Sequence, residues 1–146
     1  MSSSFTKKTE DKSLTVGVIG LGYVGLPLVL SYAAKGYKVI GFDVDLAKIE
    51  ALGTGQSYIK HIDSAPIAEY AGDGRLQATN DFNRIGEVDA VIICVPTPLS
   101  AHREPALSYI EATLEAIVPY LKSGQLVSLE STTYPGTTVE VVKPRI

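Results

Sequence analysis

The chain has 146 residues, 45% of them hydrophobic and 20% charged, which suits one compact domain with its own core. A formal net charge of -3 with no run of Lys or Arg excludes the electrostatic footprint of a nucleic-acid or anionic-lipid binder. A single cysteine, Cys94, excludes an intramolecular disulfide framework and a CxxC metal knuckle, and with no apolar leader at "MSSSFTKKTEDKS" the expectation is a soluble cytoplasmic protein without nucleic-acid or membrane partners.

Residues 1–12, rich in Ser, Thr and Lys, carry no hydrophobic pattern and are expected to form a flexible tail, leaving 13–146 as the folded unit. Strand-length apolar runs follow at Leu14–Ile19, Lys38–Phe42, Leu76–Ala78, Ala90–Val95 and Gln125–Leu129. They lack polar alternation, as strands do when helices cover both faces of a parallel sheet. Helical spacing falls between them at Val24–Lys35, Leu46–Leu52, Ala65–Tyr70 and Leu107–Leu121, the last closed by Lys122-Ser123-Gly124. Five βα units in a row predict an α/β class domain, a doubly wound parallel sheet with helices on both faces in the order 3-2-1-4-5 of the Rossmann dinucleotide-binding domain. Gly53 to Ile67 is the least regular stretch and reads as a long connection between the second and third strands. Thr137, Thr138, Val139 and Glu140 form a capping-box pattern, so a last helix is expected to begin near Gly136; it has about two turns before Ile146, and further domains are expected beyond it.

The first strand runs into Gly20-Leu21-Gly22-Tyr23-Val24-Gly25, a G-x-G-x-x-G directly before a helix. Gly20 permits the tight turn, Gly22 lets backbone approach a pyrophosphate, and Gly25 lets helix and strand pack closely, with the anion on the helix N-terminus. The plainer alternative is a simple βα turn, but Asp43 ends the second strand 18 residues beyond Gly25. A carboxylate there accepts both ribose hydroxyls of adenosine and repels a 2′-phosphate, which favours NAD over NADP. Asp45 reads as the cap of the helix at Leu46. Lys48 either closes over the adenosine end or is a solvated surface charge.

The fourth strand ends in Val95-Pro96-Thr97-Pro98, at the sheet end where open α/β folds bind ligands, though the prolines also serve as strand terminators. Cys94, mid-strand, reads as packing and not as a nucleophile. Leu129 to Thr138, "LESTTYPGTT", follows the fifth strand with a cluster of hydroxyls on the ligand side or in helix capping. Glu130 is a base by type only. His61 and His102, each in a loop, make no metal site, and Tyr58 and Lys60 read either way.

Taken together, "GVIGLGYVGLPLVLSYAAKGYKVIGFDVD", "GQSYIKHI", "VIICVPTPL" and "LESTTYPGTT" resemble the N-terminal NAD-binding domain of the UDP-glucose/GDP-mannose dehydrogenase family over essentially all of Leu14 to Ile146. The "SYIKHI" and "STTYPGTT" wording is closest to the branch acting on UDP-N-acetylglucosamine or related N-acetylhexosamines. The resemblance implies NAD as cofactor, a UDP-sugar as the substrate of the complete enzyme, a homo-oligomer, and a role in polysaccharide synthesis. It implies oxidation of the sugar C6 from alcohol to acid by two hydride transfers, through a thiohemiacetal and thioester on a cysteine. It further implies that Gly20, Gly22, Tyr23, Val24 and Gly25 hold the pyrophosphate, that Asp43 and Lys48 hold the adenosine ribose, and that Val95, Pro96, Thr97 and Thr132 border the cofactor. Thr132 matches the family's active-site threonine, which positions a water or the developing oxyanion.

The chain departs from that pattern at Pro105-Ala106-Leu107-Ser108, where an N-cap aspartate is replaced by Ala106. The resemblance places the nucleophilic cysteine, its partners and most of the UDP-sugar site beyond residue 146. Two rivals are a 3-hydroxyacid-type NAD dehydrogenase domain, against which "STTYPGTT" argues, and a non-catalytic NAD-sensing module.

Overall fold

A computed structural model describes residues 2–146. Five parallel strands, β1 (Thr15–Ile19), β2 (Lys38–Phe42), β3 (Leu76–Thr79), β4 (Ala90–Ile93) and β5 (Leu126–Leu129), form one sheet in the order β3-β2-β1-β4-β5. The chain winds outward from β1 to β3, returns to β4 beside β1, and so creates a switch point between the two central strands. Those strands are almost wholly buried because each face of the sheet has its own apolar layer. Val16, Val18 and Ile92 pack with Leu26 and Val29 of helix α2 (Gly25–Ala34), whereas Ile19, Val91 and Ile93 pack with Ile110 and Leu114 of helix α5 (Ser108–Ile117). The expected sheet order and class are therefore found, and the missing polar alternation is explained by coverage on both sides.

Helices α3 (Leu46–Gly53) and α4 (Ser64–Gly72) carry the β2 to β3 connection. Other elements differ from the sequence reading for physical reasons. Only a 3-10 helix, Phe82–Glu87, crosses from β3 to β4, so this unit lacks the α-helix that five full βα units would need. Pro119 cannot supply an N–H to the ladder, and α5 passes at Val118 into a short 3-10 turn instead of reaching Leu121. No side chain caps α5 at Leu107, in keeping with Ala106 standing where an aspartate was looked for.

Where a flexible tail was expected over residues 1–12, the structure has a helix, α1 (Ser2–Glu10); Met1 lies outside the described residues. Phe5 packs on the first apolar layer, and Lys8 pairs with Asp89, whose other oxygen accepts from the Thr15 amide at 2.9 Å. The Tyr37 hydroxyl donates to the Thr9 carbonyl at 3.0 Å. Helix α1 thus sits at the amino ends of β1 and β4. At the other terminus the capping box does not form. The Thr137 hydroxyl donates to the Tyr134 carbonyl at 2.9 Å, and the backbone makes a π-helical turn, Thr138–Val142, that buries Val142.

Candidate functional site

The glycine loop between β1 and α2 is fixed by three different constraints. Gly20 has φ +92, and a Cβ there would stand 2.6 Å from the Cys94 carbonyl oxygen, so both conformation and space demand glycine. A Cβ on Gly25 would lie 1.7 Å from the Gly20 carbonyl oxygen, which makes Gly25 the point where helix and loop backbones touch. Gly22 is different. A Cβ there meets nothing within 4 Å, so its lack of a side chain leaves space that the fold itself does not use.

That space lies at the start of α2. The N-cap position, Val24, makes no side-chain capping bond, unlike α3, where the Asp45 carboxylate accepts from the Ala47 amide at 3.0 Å as the sequence led us to expect. Among the described residues, the amides of Gly22, Tyr23 and Val24 have no protein acceptor. Free N–H groups at the positive end of a helix form an anion site.

Asp43 stands at the carboxyl end of β2 and is buried. One carboxylate oxygen accepts from the Leu21 amide at 2.8 Å and the other from the Asp45 amide at 2.9 Å, so the side chain is rigidly aimed. Each oxygen retains lone-pair capacity for a further donor. Lys48 directs its ammonium to Asp43 at 3.8 Å and lies over the Tyr58 ring, 5.9 Å from its centroid, so it is an element of the site and not a detached surface charge. Tyr58, ambiguous in the sequence, donates its hydroxyl to the Leu21 carbonyl; burial, then the charges of Asp43 and Asp45, push its pKa well above the ordinary tyrosine range.

A cleft of about 790 Å³ opens over these groups at the carboxyl ends of the strands. Gly20, Gly22, Tyr23, Val24, Asp43, Lys48, Val95, Pro96, Thr97 and Thr132 all line it, and Gly25 lies beneath, packed against the loop backbone. The structure therefore brings every candidate residue to one place. Sequence reasoning missed Phe82 and Tyr109, which add aromatic walls, and Ser131, whose hydroxyl donates to the Val95 carbonyl at 2.7 Å and ties the β5 loop to the β4 loop. Cys94 is buried on the cleft floor. Desolvation, with Glu130 nearby, pushes its thiol up to about 11, which leaves it protonated and unreactive at neutral pH. His61 stacks on Tyr23 with ring centroids 6.3 Å apart, and His102 lies in an exposed turn.

Residues 14–146 match the NAD binding domain of the UDP-glucose/GDP-mannose dehydrogenase family. The chain belongs to that family. It is 36% identical over 129 residues to the UDP-N-acetyl-D-mannosamine dehydrogenase of Escherichia coli (strain K12), covering 88% of this chain and 30% of that protein. It is 37% identical over 133 residues to the UDP-N-acetyl-D-glucosamine 6-dehydrogenase of Pseudomonas aeruginosa, covering 91% and 31%. A crystal structure of NDP-N-acetyl-D-galactosaminuronic acid dehydrogenase from Methanosarcina mazei Go1 superposes with a TM-score of 0.83 at 35% identity, covering 90% of this chain and 30% of that one. The NAD-binding domain thus spans about 30% of the length of the relatives it matches. Similarity is about equal to the relatives named for UDP-N-acetyl-D-mannosamine and for UDP-N-acetyl-D-glucosamine, so the comparisons reach the N-acetylhexosamine dehydrogenases as a group and do not separate one sugar from another.

Proposed function

We propose that this chain is the NAD-binding part of a nucleotide-sugar 6-dehydrogenase acting on a UDP-N-acetylhexosamine, UDP-N-acetylglucosamine included, in the synthesis of surface polysaccharide. The observation that carries the reading is the pairing of an uncapped α2 N-terminus with a rigidly held carboxylate at the end of β2, both facing one cleft. Pyrophosphate and a ribose diol fit that donor and acceptor set. The amides of Gly22, Tyr23 and Val24 bind the pyrophosphate, and Asp43, flanked by Lys48, accepts the ribose hydroxyls.

When bound, NAD supplies the hydride acceptor for oxidation at the sugar C6. The chain's own residues orient it. Val95, Pro96 and Thr97 line the β4 side of the cleft, and Ser131 holds the β5 loop against them. Thr132, exposed at that end with a hydroxyl able to donate and accept, orients a water or the developing oxyanion. The buried, protonated Cys94 takes no part as nucleophile.

Titration of the chain with NAD and NADP tests this reading. NAD is expected to bind more tightly, because a 2′-phosphate would enter beside the Asp43 carboxylate. Asp43→Asn is expected to weaken NAD by roughly tenfold or more through loss of charge-assisted hydrogen bonds, and to narrow the difference from NADP. Equal or tighter NADP binding by the unaltered chain contradicts the assignment of Asp43.

A further inference from the structure

We propose that Tyr58 is a positioning residue that aims the Gly22 amide at the cofactor pyrophosphate. The proposal rests on the reading that the glycine loop holds the pyrophosphate. Tyr58 reaches the loop from the long β2 to β3 connection, 37 residues away in sequence, and its hydroxyl donates to the Leu21 carbonyl. Asp43 meanwhile holds the Leu21 amide at 2.8 Å, so both polar groups of this wholly buried residue are tied to side chains.

The consequence follows from peptide planarity. Among the described residues there are no cis peptide bonds, and across a trans peptide the carbonyl of one residue and the amide of the next point in opposite directions. Fixing the Leu21 carbonyl toward Tyr58 therefore fixes the Gly22 N–H away from Tyr58. That amide has no protein acceptor, and the side of Gly22 where a Cβ would stand is open. A peptide preceding glycine reorients at low cost, so an external brace is needed to hold this one. The same connection grips the loop a second time, because His61 stacks on Tyr23 at an interplanar angle of 16°. Tyr58 also supports the ribose end, since Lys48 lies over its ring while pairing with Asp43. With its proton held far above neutral pH, the phenol acts as a fixed donor and not as a base.

Tyr58→Phe removes the donor and keeps the ring beneath Lys48. The test measures affinity for NAD and for adenosine, which lacks phosphate, together with the Gly22 amide resonance in ¹H–¹⁵N spectra. The expected result is NAD weakened about tenfold, adenosine unchanged within about twofold, and a shifted or broadened Gly22 amide. Unchanged NAD affinity overturns the proposal, as does equal loss of NAD and adenosine, which would mark a merely structural role. In the unaltered chain, ADP is expected to shift the Gly22 amide and adenosine is not; a Gly22 amide indifferent to ADP also overturns it. Gly22→Val separates the two readings. If it leaves NAD binding intact, the pyrophosphate reading itself fails; if it abolishes binding while Tyr58→Phe changes nothing, only the role of Tyr58 fails.

Discussion

Gly25 and Gly22 carry the same letter in the motif and opposite physics in the fold. An alanine methyl at Gly25 would collide with the Gly20 carbonyl oxygen, so Gly25→Ala is expected to displace α2 and cost about 3 kcal/mol or more, read as a lowered denaturation midpoint. Gly22→Ala meets open space, and its midpoint should stay within about 0.5–1 kcal/mol of the unaltered chain while NAD binding weakens. Equal destabilisation by the two substitutions would show that Gly22 too is structural. Cys94 gives a prediction in pH. Its folded pKa is raised from 9.0 to about 11, so the native state keeps a proton that the unfolded chain releases. Stability should therefore fall as pH rises from 9.0 to about 11, with a slope of at most about 1.4 kcal/mol per pH unit from this group. Urea unfolding at several pH values should show that slope reduced in Cys94→Ala. Two of the residues left open by the sequence, Lys48 and Tyr58, became legible only in three dimensions. No local pattern encodes a phenol donating to a carbonyl 37 residues earlier.

Among the elements, strands and α2 follow from the sequence because continuous Val/Ile runs and the glycine loop are local signals. Strand β4 shows the limit of such reading. The apolar run continues to Val95, but the ladder ends at Ile93, with one more bond from the Cys94 amide to the Ile19 carbonyl at 2.7 Å before the prolines turn the chain. Helix α1 was not legible, since its stability comes from tertiary contacts of Phe5, Lys8 and Thr9 and not from any periodic apolar face. Lys8→Ala is expected to lower stability by less than about 1 kcal/mol, because the ammonium side of the pair is well exposed. NAD affinity should not change, since Asp89 and α1 lie at the amino ends of the strands and the cleft at the carboxyl ends. A weaker NAD complex in Lys8→Ala would couple the two ends in a way the fold gives no reason to expect. The capping box at Thr137 was misleading for a related reason. Its hydroxyl found the Tyr134 carbonyl in the preceding turn, a competing partner that the four-residue pattern does not contain.

The whole molecule is a sheet with a switch point between β1 and β4, and the ligand end follows from topology once the strand order is known. Its only thiol is buried and protonated, so the 146-residue chain is expected to bind NAD without reducing it in the presence of UDP-sugars. A second pocket, polar and about 190 Å³, lies at the opposite end of the sheet beside Thr15, Lys38 and Gln77. The most direct test of the account is a map of backbone amide shifts as NAD is added to the chain. The largest changes are predicted at Gly20–Val24, at Asp43 and in the loops carrying Thr97 and Thr132, with Thr15, Lys38 and Gln77 unmoved. Changes centred on the latter three residues, or an unperturbed glycine loop at saturating NAD, would contradict it.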